Sequence, residues 1–457
     1  MKKYSTKLIS EYICESNYSE IPKDILIKAK YCILDLIGCA LGGRKTKIGD
    51  ILIKSIIKTG AGISTIFGEK NVTSLNNAVF INSSLSNILD YDDTFIGHPG
   101  ATIVPVALNL GEFLKSSGKE LLLAVVLGYE ISLRLGLAFR PRTERKYIHG
   151  HGTWGTFGSV VVSSKLLQLD KKKVANALGI AGANAPVRSV MKTSNNPEKS
   201  NMVKNNFGIA SEIGMKAAFL AKNEFQGPID IFEGDTGFWR MIGTDKVELY
   251  DFLLEDIGKK YLILDVGFKF YPCCRLIHSS IDAISEIVDK NLIDINNIKK
   301  ILIYSVTPLS QKPFSKAEPK NMIEGQFSAP YSIACAVYKI NFLDWYSDSN
   351  LSDNKLLNFA KKIRINPELD ADELNRKDSS LRLSKVEIYT DNNKYSNKVF
   401  LPKGTKTTSY NLEDLKQKFI NLAVRSLKNE KKVNQLLQII LNLEEVKEIN
   451  EVTKLLY

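Results

Sequence analysis

The chain is predicted to be mainly α, with a large helical domain that carries an inserted, smaller α+β domain. Up to about residue 264, segment after segment repeats apolar residues at three- and four-residue spacing. Near residues 298–306 and 383–391 the pattern changes to alternation of apolar and polar residues, rich in β-branched side chains. After about residue 403 the helical spacing returns, so the chain is expected to pack back on its first domain. A length of 457 residues is too great for one core, and the expected divisions are 1–264, 265–402 and 403–457.

The helical domain opens with IPKDILIKAKYCILDLIGCALGG, residues 21–43, where Pro22 suits a first turn and Gly42-Gly43 are expected to end the helix. The helical segments SLNNAVFINSSLSNILDYD, PGATIVPVALNLGEFLKSS, GKELLLAVVLGYEISLRLGLAF, GTFGSVVVSSKLLQLD, KKVANALGIAGANA and SEIGMKAAFLAKNE follow. Many are rich in Ala, Gly and Ser, which lets helices approach closely. In the inserted domain IKKILIYSV and LSKVEIYTD read as strands and DNNKYSNKVF as a turn and return strand. The helix MIEGQFSAPYSIACAVYK lies between them, and LEDLKQKFINLAVRSLKNEKKVNQLLQIILNLEE closes the chain.

The totals describe a soluble globular protein, 44% apolar and 25% charged. The net charge of +12 favours anionic partners. Lysine is spread along the chain without a nucleic-acid-binding signature, so small polycarboxylates are expected and nucleic acid is not. The most apolar helix contains Glu130 and Arg134 and is read as buried, not membrane-spanning. The six cysteines form no CxxC pair, and the adjacent Cys273 and Cys274 suit a disulfide poorly. With no signal-peptide core in MKKYSTKLISEYICE, a reducing cytoplasm is expected.

Candidate chemistry gathers in three stretches. In LDYDDTFIGHPGATIVP, residues 89–105, Asp90, Asp93, Thr94 and His98 fall on a loop between two buried helices. The stretch lacks the ligand alternation and closing glutamate of a calcium loop, and at least one aspartate is expected to cap a helix. IHGHGTWGTFGSVVV contains a literal GxGxxG, but no apolar strand precedes it. It reads as a glycine-rich helix start with His149 at its mouth. In FKFYPCCRLIHSSIDAI, Lys269, Arg275 and His278 surround a Tyr-Pro turn. Arginine can grip a carboxylate bidentately and lysine supplies a compact charge.

These stretches, with MVKNNFGIASEIGMKAAFLAKNEFQGPIDIFEGDTGF and QFSAPYSIACAV, run in order over nearly the whole chain and together resemble the MmgE/PrpD family. That family includes 2-methylcitrate dehydratase, cis-aconitate decarboxylase and iminodisuccinate epimerase. The resemblance implies a helical domain built from both ends of the chain, an α+β lid, a homodimer, and a site between domain and lid. No metal or organic cofactor is implied. It places Asp90, Thr94, His98, His149, Lys204 and Lys269 in the site, with Tyr271, Arg275 and His278 beside the last lysine and Tyr331 from SAPYS. His98, His149, Asp90 and Lys269 are then expected to act on the reacting atoms, and the others to bind substrate.

The implied activity is a lyase acting on a small di- or tricarboxylate. Dehydration of the 2-methylcitrate type is expected first, then cis-aconitate decarboxylation, epimerisation, or binding without catalysis. Three features depart from the family pattern. Phe95 stands where a histidine or tryptophan often follows DDT, and the span from Thr94 to His98 is shorter than in decarboxylase-like members. KGTKTTSYNLEDL replaces a Gly-Pro-rich return segment, which is expected to matter for structure only.

Overall fold

A computed structural model describes residues 5–139, 151–186, 201, 206–238, 253–378, 380–406 and 411–457. The helical part comprises α1 (Ser5–Glu15), α2 (Lys23–Arg44), α3 (Lys47–Ile56), α4 (Leu75–Ile88), α5 (Gly100–Leu114), α6 (Gly118–Phe139), α7 (His151–Leu166), α8 (Lys171–Asn184) and α9 (Asn206–Lys222). Side-chain caps start several of them: Ser74 accepts from Asn77 N ahead of α4, and Asp170 from Lys173 N ahead of α8. The α+β part contains α10 (His278–Lys290), β1 (Lys300–Ser305), α11 (Ala329–Val337), β2 (Ile363–Pro367), β3 (Ser384–Tyr389) and β4 (Lys394–Val399). Its sheet runs β2-β1-β3-β4, with β1 and β2 parallel and the other pairs antiparallel. Two further long helices, α12 (Leu412–Leu427) and α13 (Glu430–Leu441), follow. The architecture is mainly α with a smaller α+β domain.

Two hydrophobic cores organise these elements. The first joins α1–α9 to residues of α12 and α13, including Leu415, Phe419 and Leu436. The second lies in the α+β part, where Ile281 and Ile284 of α10 meet Ile301, Ile303, Val386 and Ile388 of the sheet. Helix α7 is central, packed by α5, α6, α8 and α9, and small or apolar residues cover its whole circumference. Gly155, the last glycine of the GxGxxG match, serves this packing: a Cβ there would lie 2.9 Å from Thr102, so it admits α5. Helix α2 departs from expectation in one detail. Gly42 and Gly43 lie inside it, because a side chain at Gly43 would strike the backbone of Leu85 on α4.

The apolar α6 would be long enough to cross a membrane, yet it is buried against its neighbours. Its two charges meet each other: Arg134 Nε donates to Glu130 at 2.5 Å, and both side chains are buried. Arg134 also donates to Glu255 O at 2.6 Å, and Glu130 accepts from Leu262 N at 2.8 Å. The pair thereby ties down the segment leading into the α+β part. All six cysteines are free thiols.

The domains are joined by a buried lysine. Lys418 on α12 donates to Asp35 Oδ1 on α2 at 2.6 Å, to Tyr91 O at 2.6 Å and to Lys269 O at 2.9 Å. Burial pushes the Asp35 carboxyl up to about 6 against the pull of Lys418. Removing one partner of a buried pair strands the other charge. Lys418→Met is therefore expected to destabilise the protein by about 3–5 kcal/mol in urea unfolding, with part of the loss recovered when Asp35→Asn is added. A loss below about 1 kcal/mol, the range of a surface pair, would refute the clamp.

Candidate active site

The loop after α4 holds residues 89–98, and most of its polar groups have a partner. Asp90, at φ +50°, takes the left-handed conformation that aspartate tolerates better than most residues. Lys269 Nζ donates both to its backbone carbonyl, at 3.0 Å, and to its carboxylate, at 2.8 Å. Asp92 Oδ1 accepts from Asn87 Nδ2 at 2.9 Å and lies 3.1 Å from His98 Nδ1. Asp93 accepts from Gly100 N at 3.1 Å, at the start of α5, and its other oxygen meets Tyr129 OH at 2.6 Å. Thr94 exchanges backbone hydrogen bonds with Gly267, at 2.8 and 3.0 Å. Trp154 Nε1 holds Ile96 O at 3.1 Å. The three aspartates thus have separate work: Asp90 pairs with a cation, Asp92 orients a histidine, and Asp93 braces a helix.

A cavity of about 380 Å³ opens between this loop and the α+β part. Its helical wall carries Asp90, Thr94, Phe95, His98, His151 and Trp154. The His98 and His151 rings meet edge to face, 5.7 Å apart between centroids. Asp92 accepts the His98 Nδ1 hydrogen, which leaves Nε2 as the other ring position, 3.5 Å from Asp90 Oδ1. Gly97, at φ +118°, is required for conformation and for space, since a Cβ there would lie 2.8 Å from the His151 ring.

The opposite wall carries Lys269, Cys274, Arg275, Arg382 and Thr405. Burial works against the Lys269 charge, but Asp90 and Asp92 outweigh it and hold the ammonium above its ordinary range. Arg275 is pushed down to about 10, chiefly by burial. Its guanidinium donates to Thr405 Oγ1 at 2.8 Å and to Lys403 O at 3.0 Å. One oxygen each of Asp90 and Asp92 and a nitrogen of His98 lie within 4.8 Å of one another, a spacing that suits a metal ion. The Asp90 oxygen nearest His98 is also the one that receives Lys269, so a cation there would have to displace a buried ammonium group.

Asp90, Thr94, His98, Lys269 and Arg275 therefore share one cavity, as expected. Three expected binding residues do not. Tyr331 is fully buried and donates to Trp345 O at 2.6 Å in the second core. Tyr271 donates to Asp282 at 2.7 Å and faces a separate crevice between the domains. His278 is buried behind Arg275. It donates from Nε2 to Cys273 O at 3.2 Å and accepts from Arg275 at Nδ1 at 3.1 Å. Burial, with Arg275 and Lys269 nearby, pushes His278 well below its ordinary range, so it positions Arg275 as a neutral ring. His149 and Lys204 lie outside the described residues.

The return segment is a correction of another kind. Thr405 lines the cavity and Gly404 O accepts from Phe268 N at 2.9 Å, so this stretch forms site wall as well as connection. His151, Trp154 and Arg382 were not among the expected site residues. His151 stands two residues beyond His149 in the same glycine-rich stretch, a signal within reach; Arg382 has none among 62 lysines and arginines.

A helical domain and an α+β part enclose a cavity that sets a histidine pair opposite cationic side chains, an arrangement with the charge to hold a small anion. Sequence comparison matches residues 7–249 to the MmgE/PrpD N-terminal domain and residues 271–445 to the MmgE/PrpD C-terminal domain. The chain belongs to the MmgE/PrpD family. Its relatives include cis-aconitate decarboxylase of Aspergillus terreus, 24% identical over 96% of this chain and 92% of that protein. Human cis-aconitate decarboxylase is 28% identical over 68% of this chain and 66% of that protein. A cis-aconitate decarboxylase-like protein of Aspergillus oryzae is 24% identical over 78% of each.

Burial, with Asp92 nearby, pushes the Asp93 carboxyl well above its ordinary range. A folded-state value above the unfolded one means that the linked stability is full below about pH 4 and falls as pH rises. Asn can keep both contacts without the charge. Asp93→Asn is expected to stay within about 1 kcal/mol of the wild type at pH 7 and to gain on it between about pH 4 and pH 8. A difference that stays flat with pH would place the proton elsewhere.

Proposed function

We propose that the protein is a cofactor-independent carboxy-lyase acting on cis-aconitate or a close unsaturated tricarboxylate. One observation carries the reading: the His98–His151 pair faces Lys269 and Arg275 across a single cavity. The decarboxylase names of the relatives support it and move decarboxylation ahead of 2-methylcitrate-type dehydration. The coarser reading, a lyase for small polycarboxylates, is common to both reactions. Six free thiols, two of them adjacent, suit a reducing compartment such as the cytoplasm.

The chemistry needs a cationic cradle and one proton. When the bond from the allylic CH₂ to its carboxylate breaks, carbon dioxide leaves and the electron pair shifts through the double bond. Negative charge then develops on the far carbon, next to another carboxylate. An imidazolium, from His98 or His151, delivers a proton there and leaves an exo-methylene product, itaconate. Lys269 stabilises the growing charge, and Arg275 grips a carboxylate of the substrate. The step is redox-neutral and the electron sink belongs to the substrate, so the scheme calls for no cofactor. Asp92 keeps the His98 ring in register, and Asp90 holds Lys269. His149 and Lys204 are proposed to complete the proton path and the cradle.

Proton NMR of the protein with cis-aconitate in deuterated buffer tests this. Two vinyl proton signals and one deuterium in the adjacent methylene are expected. Loss of water from 2-methylcitrate with all carboxylates retained would favour the dehydratase instead. His98→Asn is expected to lower kcat roughly a hundred- to ten-thousand-fold with the fold intact. An unchanged rate would remove His98 from proton transfer.

A further inference from the structure

We propose that Arg382, together with Arg275, forms a two-guanidinium subsite on the lid wall that takes a carboxylate remote from the reacting carbon, and so selects tricarboxylates over dicarboxylates. The proposal rests on the lyase reading and adds to it the group that sets substrate class. Arg382 lies just ahead of β3 and Arg275 just ahead of α10, and both line the cavity. Arg382 is anchored through its backbone, which donates to Phe400 O at 2.8 Å, and through its guanidinium, which donates to Asn375 and to Leu381 O. Arg275 is gripped by Lys403 O, Pro402 O, Thr405 Oγ1 and His278, all uncharged acceptors.

The charge balance of the cavity points the same way. Among the described residues two acids line the cavity, and both are already engaged, Asp90 with Lys269 and Asp265 with Lys406. Asp282 lies near Arg275 but gives its oxygens to Tyr271 OH, at 2.7 Å, and Lys403 N, at 2.8 Å. Burial and the nearby Arg382 both act against the Arg275 charge, and Asp282 supports it. An anion held between two like charges relieves their repulsion. The planar forks suit a carboxylate well. The histidines stand on the opposite wall, and Lys269, bonded to Asp90 of that wall, can serve the reacting end of the substrate. A dicarboxylate can be satisfied there alone, whereas a third carboxylate reaches the guanidinium pair.

Two inert ligands isolate the effect. Propane-1,2,3-tricarboxylate and 2-methylsuccinate differ by one carboxylate, and calorimetric titration measures each without turnover. The wild type is expected to bind the tricarboxylate about 10- to 100-fold more tightly. Arg382→Gln should remove most of that preference while changing 2-methylsuccinate binding by no more than about two-fold. Arg382→Lys should restore part of it, and thermal unfolding should show both variants folded. Equal weakening of both ligands, or no preference in the wild type, would overturn the subsite. Selective binding that depends on Arg382, without turnover of cis-aconitate, would keep the subsite and remove the decarboxylase reading. Turnover of cis-aconitate with an unaltered preference in Arg382→Gln would do the reverse.

Discussion

Three buried ammonium groups hold one short stretch of chain, and the site depends on them. Lys28 on α2 donates to Val266 O at 2.5 Å, Lys418 on α12 to Lys269 O at 2.9 Å, and Lys269 itself to Asp90. Residues 266–269 are thus fixed against the beginning of the chain, its end and the loop after α4. Each ammonium loses its water, a cost of several kcal/mol unless charge and hydrogen bonds replace it. The replacements are Asp35 for Lys418 and Asp90 for Lys269. For Lys28, burial prevails and its basicity falls. A stretch of backbone held this way can carry Lys269 into the cavity at a fixed height.

The same constraint explains the loop. A polar segment running between buried helices must find a partner for nearly every group it carries. It does so by spending its acids on different jobs and by bending where ordinary residues resist. Left-handed turns at Asp90 and Ile96, with Gly97 at φ +118°, fold ten residues into a compact wall. Lys269 reaches both the carbonyl and the carboxylate of Asp90 at once. A Thr94–Gly267 exchange of backbone hydrogen bonds then joins loop and lid segment as a minimal antiparallel bridge. Loop and lid wall are therefore not independent surfaces that happen to face each other.

How much of this could be read from the sequence follows from how local each signal is. Helix periodicity is local, and so are the Asp-rich loop and its histidine. Asp90, Thr94, His98 and Lys269 were therefore legible as candidates. Side-chain direction is not local. Tyr331, Tyr271 and His278 sit in chemically suggestive stretches, but packing turns Tyr331 into the second core, Tyr271 towards Asp282 and His278 behind Arg275. Gly42 and Gly43 misled for a similar reason. Glycine marks a helix end or a close helix contact, and only the neighbour Leu85 decides which. Arg382 and Thr405 reach the cavity through the sheet and the return segment, and no spacing in the chain announces that.

The two walls also differ in what holds them. The helical wall is set by short-range bonds within residues 87–100 and by α7, so His98 and His151 are fixed by the tightly packed core. The lid wall is set through Arg275, which grips Pro402, Lys403 and Thr405 at the point where the chain returns to α12. Lys403 then pairs with Asp414 in the first turn of α12 at 2.9 Å, and Lys418 lies one turn further on. The segment that grips Arg275 is thus bonded to the same helix that holds Tyr91 and Lys269. Phe95 lines the cavity from the helical wall, where its apolar ring shapes the space beside His98 without offering a proton.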